Sequence, residues 1–509
     1  MSQSKSKNSM RNVTFGFILK FYQILMPFVI RTIIIHVLGM QYAGLNSLFV
    51  SILQVLNIAE LGVSYALVVS MYKPIIENDK NKICALMKLY KTYYRFIGLF
   101  ILVVGGILTP FIPKLINGTV PDDINVYVIY LLNLGATVLS YWLFAYKNSL
   151  FQAHQRNDVV SKISLVTDTI KYGLQISLLF LLKDYYTYLI ILLLMQVINN
   201  ITIALFSNKY YPKYKAIGEL EKEDKKKINS SIKDLFYSKV GMVITNSLGS
   251  VVISAFLGLV PLAIYQNYYY ILSSLIAFFT IIFISCRAAV GSNILEKEME
   301  KNYIDFKYLT FIIMGFLTFS SCCLITMYQP FMKIWVKSEN MLSNDFPILF
   351  AVYLVVYIIF YLLESYKDAT GKWHADRFRP LVTSLVNLAI SISLINFIGL
   401  YSVILGLIIS TLFVNIPWLY HRVFIDVFDK KYKKDYAKYL IYKVFILIFA
   451  SLISFLICKL IPIRNDYLKL CLSLIISGCL SFGIYMLFNI KDIGLRRTVK
   501  MIKSFLGKR

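Results

Sequence analysis

Residues 13–71 read VTFGFILKFYQILMPFVIRTIIIHVLGMQYAGLNSLFVSILQVLNIAELGVSYALVVSM. The stretch contains two apolar runs, 13–38 and 44–71, separated by a turn of a few residues. Its acidic and strongly basic residues are Lys20, Arg31 and Glu60. A helix needs about 20 apolar residues to cross a membrane, so the two runs predict a pair of transmembrane helices joined by a short turn.

The same type of run recurs along the whole chain, of which 58% is hydrophobic and 16% charged. Soluble domains carry about 25% charged residues, so a fold in water is excluded. Further apolar runs lie at 94–114, 124–146, 159–182, 185–207, 234–257, 261–286, 308–328, 346–365, 380–399, 401–421, 439–460 and 467–490. The sequence therefore predicts an all-α polytopic membrane protein with about fourteen transmembrane helices.

The net charge of +26 reflects membrane orientation and not nucleic-acid binding, because the basic residues lie in the connectors. Of the 53 Lys and Arg residues, 41 fall in the amino-terminal-side connectors and tails, and 7 in the opposite ones. Basic residues concentrate on the cytoplasmic side of membrane proteins. We therefore expect a multi-pass protein of the bacterial cell membrane with both termini in the cytoplasm.

The distribution of connectors predicts four segments. They are an amino-terminal six-helix bundle (1–207), a charged cytoplasmic linker (208–233), a second six-helix bundle (234–421), and two extra helices with a basic cytoplasmic tail (422–509). Leu38-Gly39 closes the first span and Leu257-Gly258 the seventh. Repeated halves are typical of secondary transporters, which bind substrate between them.

Ionisable residues inside spans are costly and usually face a cavity or a partner. Lys20 and Arg31 share one polar stripe of the first helix, where they either line a cavity or reach towards the two interfaces. Glu60 is a candidate to neutralise such a cation or to bind H⁺ or Na⁺, with a structural salt bridge as the alternative. Asp168 and Lys171 either face a cavity or form an ion pair within the fifth span.

Three further regions supply candidate binding residues. Lys239 lies on a polar face of the seventh span, and Arg287 ends the eighth span, where it can also act as a topological anchor. Tyr357, Tyr361 and Glu364 continue an aromatic ladder along the tenth span. Such a ladder suits sugar rings, although helix packing explains it as well. The excess of cations over acids inside the spans indicates an anionic substrate group.

Signatures of catalysis, cofactors and metals are missing from the sequence. It has four His residues and none of the nucleotide, zinc-protease or serine-hydrolase motifs. The seven cysteines show no C-x-x-C spacing. We predict that the protein is not an enzyme and that it uses neither a cofactor nor a metal.

The pieces LGMQYAGLNSLF and ELGVSYAL within residues 31–73 resemble the opening of Wzx-type polysaccharide flippases, and LGLVPLAIYQNYYYILSSL (257–275) resembles the matching hairpin. These flippases belong to the multidrug/oligosaccharidyl-lipid/polysaccharide exporter (MOP) superfamily. The resemblance implies two six-helix bundles around a central cavity, with two additional helices. It also implies cavity cations that hold a pyrophosphate, for which Lys20, Arg31, Lys239 and Arg287 are the candidates. Glu60 departs from the pattern, because an acid stands on the second helix where a cation is expected.

The substrate that this resemblance implies is an undecaprenyl-pyrophosphate-linked oligosaccharide repeat unit, turned from the inner to the outer leaflet for capsule, exopolysaccharide or O-antigen synthesis. Membrane lipids, a polysaccharide polymerase and other assembly proteins are the remaining candidate partners. Two alternatives stay open: a multidrug exporter of the same superfamily and a membrane polysaccharide polymerase. The cationic bias and the two extra spans favour the flippase over the exporter. The short external loops disfavour the polymerase.

Overall fold

A computed structural model describes residues 2–296, 298–370, 376–461 and 465–506, and within these ranges the protein is α-helical without β-strands. The chain forms two compact units: an N-terminal unit, Met1–Ala263, and a C-terminal unit, Ile264–Arg509. Each unit is a set of long helices joined by short connections. The all-α fold predicted from the apolar runs is therefore confirmed.

The N-terminal unit contains nine complete helices within the described residues. They are α1 (Ser2–Val37), α2 (Met40–Leu56), α3 (Val63–Glu77), α4 (Lys80–Leu108), α5 (Val126–Trp142), α6 (Asn148–Ala153), α7 (Asn157–Leu182), α8 (Tyr185–Tyr210) and α9 (Lys222–Leu257). Inside this unit α7 packs against α1 and α8, and α2 packs against α9.

The next helix, α10 (Leu259–Glu296), begins in the N-terminal unit and continues into the C-terminal unit. The remaining helices are α11 (Met299–Val336), α12 (Phe346–Ala369), α13 (Arg379–Ile398), α14 (Tyr401–Ser410), α15 (Ile416–Asp426), α16 (Lys433–Leu460), α17 (Asp466–Phe488) and α18 (Ile493–Leu506). Among these, α11 packs against α16 and α17, and α13 packs against α14.

The number of membrane-crossing helices agrees with the sequence. In the described ranges, 13 helical segments are long and apolar enough to cross a membrane. The pair α5 and Ala145–Ala153, bent by 45° at a short break, brings the number to 14 if it is counted as one span. The molecule is a multi-pass membrane protein.

Polar residues in the connectors start several of these helices. Asp79, Asn125, Asp184 and Asn465 stand at the N-caps of α4, α5, α8 and α17, and each side chain accepts a backbone N–H of the first turn. Such caps satisfy N–H groups that have no partner within the helix. Short polar connectors therefore begin these four helices.

The two helical hairpins singled out in the sequence turn in the same way. Gly39 lies between α1 and α2 with φ of 113°, and Gly258 lies between α9 and α10 with φ of 93°. L-residues with side chains rarely adopt this conformation, so glycine suits both positions. A Cβ at Gly44 would also overlap the carbonyl oxygen of Leu259, so the start of α2 approaches the start of α10 closely.

Two details differ from a simple reading of the apolar runs. The second span is interrupted, because a 3₁₀ turn at Asn57–Glu60 and Gly62 (φ 87°) separate α2 from α3. The charged segment predicted as a linker is partly helical, since α9 begins at Lys222 and continues into the seventh span. The division into two six-helix bundles with a linker and two extra helices stays a prediction.

Candidate functional site

Arg31 provides a cation within the membrane-crossing part of the N-terminal unit. It lies on α1, partly buried, and its guanidinium donates to the Ser47 hydroxyl of α2 at 3.0 Å and to the Ala263 carbonyl at 3.1 Å. Ser47 in turn donates to the Ala43 carbonyl at 2.8 Å. These contacts fix the position of the guanidinium between three helices, α1, α2 and α10.

Glu60 lies where the second span is broken, and tyrosines surround it. The Tyr94 hydroxyl of α4 donates to its carboxylate at 3.0 Å, and Tyr90 donates to Ser64 at 2.6 Å. Tyr141 of α5 donates to Asn57 at 3.1 Å. The break in the helix thus places polar groups of the second span next to phenol hydroxyls of α4 and α5.

Lys239 of α9 lies near this polar region. It interacts electrostatically with Glu60, and its Nζ lies 6.0 Å from the centre of the Tyr65 ring. Gly62 allows α9 to approach the break in the second span, because a Cβ at position 62 would meet Leu235 and the Ile232 carbonyl of α9. The structure therefore brings Glu60 and Lys239, predicted separately, into one region.

Asp168 and Lys171 form an ion pair within α7, with 2.6 Å between Nζ and Oδ1. Lys171 also lies 4.3 Å from the centre of the Tyr172 ring. The side chains of the pair are each 19% exposed. The ion-pair alternative proposed from the sequence is therefore the arrangement observed. Lys20 is exposed on α1, and none of the described ion pairs includes it.

The aromatic ladder of α12 lies in the C-terminal unit. The ring centres of Tyr353 and Tyr357 are 5.8 Å apart, and those of Tyr357 and Tyr361 are 6.2 Å apart. Phe283 of α10 packs on Tyr361 at 5.2 Å. Packing thus engages part of the ladder, while Tyr357 and Tyr361 keep some exposed surface.

Glu364, at the end of the ladder, belongs to a group of buried charges that sequence reasoning missed. Arg379 donates to Glu364 at 2.6 Å and to Asp376 at 3.0 Å, and Lys367 contacts Asp376 at 2.7 Å and Asp368 at 2.9 Å. We call these five residues the Arg379 cluster. Arg379 precedes Pro380 at the start of α13, so its position at a span boundary suggested only an orienting charge.

A second buried cation was also missed. Lys443 lies in the middle of α16, is fully buried, and contacts Asp492 at 2.6 Å as well as Asn489. Its place inside an apolar run was the available sequence signal. The side chain of Arg287 lies outside the described part of the structure. No group of three or more potential metal ligands occurs among the described residues.

The sequence of the N-terminal half identifies the family. The profile of the family described as "Polysaccharide biosynthesis protein" matches residues 9–286, more than half of the chain. This chain belongs to the polysaccharide biosynthesis protein family. The matched range includes Lys20, Arg31, Glu60, Asp168, Lys171 and Lys239. No curated protein sequence matches the chain.

Solved transporter structures share the fold of this family member. The lipid II flippase MurJ in an inward closed conformation superimposes with a TM-score of 0.62 at 15% identity, covering 94% of this chain and all of MurJ (100%). An inward-facing multidrug resistance MATE transporter of the MOP superfamily reaches 0.62 at 13% identity and covers 81% of this chain and 97% of its own. The eukaryotic MATE transporter AtDTX14 reaches 0.55 at 13% identity, covering 86% and 99% respectively.

The family match agrees with the polysaccharide-flippase resemblance, and the predicted fold is confirmed as the one found in MurJ and in a MATE transporter of the MOP superfamily. This protein is a membrane protein of polysaccharide biosynthesis with a flippase-type transporter fold.

Proposed function

We propose that the protein is a flippase that moves polyprenyl-pyrophosphate-linked oligosaccharide repeat units from the cytoplasmic to the outer leaflet. The observation that carries the proposal is the family match over residues 9–286. The matched range includes Arg31, a cation held within a membrane-crossing helix. In this proposal both termini are cytoplasmic, as the distribution of Lys and Arg predicts.

Arg31 is proposed to bind the pyrophosphate, with Lys20, Lys239 and Arg287 as further cations along the path. Arginine binds phosphate oxygens in a bidentate fork, and lysine contributes a point charge. Tyr357, Tyr361 and Glu364 are proposed sugar contacts. Glu60 and the Asp168–Lys171 pair are proposed to balance charge beside the path. The polyprenyl tail stays in lipid while the head group crosses by alternating access.

The direction of transport follows from the charge of the substrate. An inside-negative membrane potential favours outward movement of an anion by roughly 2.3 kcal/mol per charge per 100 mV. A head group with two or more negative charges gains correspondingly more. The potential alone therefore supplies a driving force for export.

A multidrug exporter is the main rival, since MATE transporters share the fold. MurJ aligns over 94% of this chain, whereas the inward-facing MATE transporter aligns over 81%. The larger coverage by MurJ agrees with a chain that has more than twelve membrane spans. Together with the cations inside the N-terminal unit, it favours a lipid-linked anion over a cationic drug.

The test is deletion of the protein from its host, followed by complementation with variants. We expect lipid-linked repeat units to accumulate on the cytoplasmic face and surface polysaccharide to disappear. Arg31→Ala should lower transport about tenfold or more, because charge-assisted hydrogen bonds contribute roughly 1.5–3 kcal/mol. Arg31→Lys, which keeps the charge without the fork, should lie between Arg31→Ala and wild type.

The matched control is Lys88→Ala, which removes an exposed cation whose partner is the exposed Glu219 at 3.4 Å. It should restore polysaccharide fully. Repeat units that reach the outer face without lengthening would identify a polymerase instead. Unchanged polysaccharide combined with drug sensitivity would identify a multidrug exporter.

A further inference from the structure

A cavity of about 340 Å³ lies between the ends of α1, α7 and α8 in the N-terminal unit, away from Arg31 and Glu60. Its charged lining residues are Arg11 of α1, Arg156 just before α7, and Asp158 and Lys162 of α7. These four residues form the Asp158 cluster. They lie at the helix ends that the charge distribution assigns to the cytoplasmic side.

The Asp158 cluster carries more positive than negative charge. Asp158 is fully buried and contacts Arg156 at 2.9 Å and Arg11 at 3.1 Å, while Lys162 lies 3.8 Å away. One carboxylate thus faces three cations, which leaves a surplus of two positive charges in the lining. A buried or half-buried surplus of this kind is stabilised by a bound anion.

The cations are arranged so that they can reach an anion in the cavity. Arg156 donates to Asp158 through Nε, so the Asp158 carboxylate does not occupy the edge of the guanidinium that carries the two terminal nitrogens. The Arg156 guanidinium lies 5.5 Å from the centre of the Tyr210 ring. The Lys162 ammonium is too far from Asp158 for a hydrogen bond. The Arg11 and Lys162 side chains are 39% and 41% exposed.

One wall of the cavity is apolar and exposed, unlike the wall of a site for a free ion. Val166 on α7 is 61% exposed, and Phe206 and Tyr210 on α8 are 41% and 46% exposed. Exposed apolar side chains on a membrane helix face lipid chains. Cations therefore lie at the level of the head groups, directly beside a surface suited to acyl chains.

We propose that this cavity binds the phosphate of an anionic glycerophospholipid, with Arg11, Arg156 and Lys162 on the phosphate and the exposed wall of α7 and α8 along an acyl chain. Basic pockets between membrane helices are suited to such head groups. The cavity volume accommodates a head group and not a whole lipid. The site goes beyond the proposed transport function and does not use the proposed substrate.

The test measures phosphatidylglycerol binding to the purified full-length protein in detergent by native mass spectrometry. The variant is Arg11→Gln with Lys162→Gln, which leaves Arg156 to pair with the buried Asp158 and so protects folding. The control is Lys209→Gln with Lys213→Gln, which removes two exposed charges that do not line the cavity. Thermal unfolding of all three proteins verifies that each is folded.

We expect one phosphatidylglycerol to bind wild type and control equally, and the cavity variant roughly 10- to 30-fold more weakly, at about 1 kcal/mol for each cation near the membrane surface. Phosphatidylcholine should bind more weakly than phosphatidylglycerol.

Equal phosphatidylglycerol binding to all three proteins would overturn the proposal. Full displacement by equimolar inorganic phosphate would assign the site to a free anion. If farnesyl pyrophosphate displaces the bound phosphatidylglycerol, and an excess of phosphatidylglycerol cannot reverse this, the site belongs to the polyprenyl carrier. Either displacement overturns the lipid assignment. Because no substrate is transported, these outcomes are independent of the flippase test.

Discussion

The Asp158 cluster of the N-terminal unit and the Arg379 cluster of the C-terminal unit both bury charge at helix ends, but in opposite ways. In the first, a single buried carboxylate faces three cations that are partly exposed. In the second, Arg379 and Lys367 are only 2% and 3% exposed, and three carboxylates share them. The first cluster has a positive surplus beside a cavity, whereas the second has acids enough to balance its cations.

The difference indicates two uses of buried charge. In the Arg379 cluster, the two buried cations are fully engaged by three carboxylates, and the network connects α12 to α13. A cluster with surplus charge and exposed cations has capacity left for a ligand. The ratio of cations to acids, together with exposure, therefore separates a structural network from a binding site more clearly than the presence of charge does.

The largest expected effect is on Arg379. Replacing it with Leu leaves Glu364 and part of Asp376 buried without their cation, and breaking a buried pair in this way costs about 3–5 kcal/mol. Thermal unfolding of the purified Arg379→Leu protein should show a large loss of stability. Arg377→Leu, two residues earlier and partly exposed, is the matched control. An equal loss of stability in Arg379→Leu and Arg377→Leu would mean that the Arg379 cluster does not stabilise the fold more than a partly exposed arginine does.

Asp158→Asn should lower the free energy of unfolding less than Arg379→Leu does. The three cations around it remain partly exposed to water or a head group, so we expect a loss of about 1–3 kcal/mol in the free energy of unfolding. Removing the carboxylate raises the surplus charge, so phosphatidylglycerol should bind more tightly than to wild type. Unfolding and lipid titration of the same protein measure both effects. A loss of stability above that of Arg379→Leu contradicts the comparison.

The Asp168–Lys171 pair tests an intermediate case, since both side chains are partly buried and the pair is balanced. A double-mutant cycle with Asp168→Asn and Lys171→Gln should give a coupling of about 1 kcal/mol. Chemical unfolding of the four proteins supplies the cycle. A coupling near zero would mean that the two side chains interact with their surroundings more than with each other.

The smallest effect concerns the partly exposed ion pair between Lys82, at the start of α4, and Asp224 of α9. The hydrogen bond from Lys82, at 2.6 Å, lowers the pKa of Asp224 below its ordinary value. Its stabilising contribution is therefore full above the unfolded-state value near 3.9 and is lost as the pH falls through the lower folded-state pKa. Asp224→Asn should lose less than about 1 kcal/mol at neutral pH and nothing at low pH. A constant difference from wild type between pH 7 and pH 3 would contradict this assignment.

The sequence predicted the spans well because each apolar run is long enough to be recognised without tertiary information. The Asp168–Lys171 pair was also accessible, since residues three apart share one helix face. Lys239 and Glu60 were each found as polar residues inside spans, but their proximity depends on α9 packing beside the broken second span. The sequence contains no local signal for that packing.

The two charge clusters illustrate what local patterns leave out. Arg11 and Asp158 lie on helices far apart in sequence, and only the packing of α1 against α7 brings them together. Arg379 also depends on Asn415, which accepts from its guanidinium at 2.6 Å from another helix. Both arginines follow the pattern of orienting charges at span ends, so their buried contacts were not predictable from position.

The interruption at Asn57–Glu60 also affects the mechanics of the second span, which extends from Met40 to Glu77 over 38 residues. An unbroken helix of that length resists bending as a stiff rod, whereas a 3₁₀ turn and a glycine divide it into two shorter rods with a compliant joint. The half before the joint is fixed by the close approach of Gly44 to Leu259. The half beyond it is held separately, since Ser64 accepts the Tyr90 hydroxyl of α4 at 2.6 Å, so the two halves of one span are anchored to different helices.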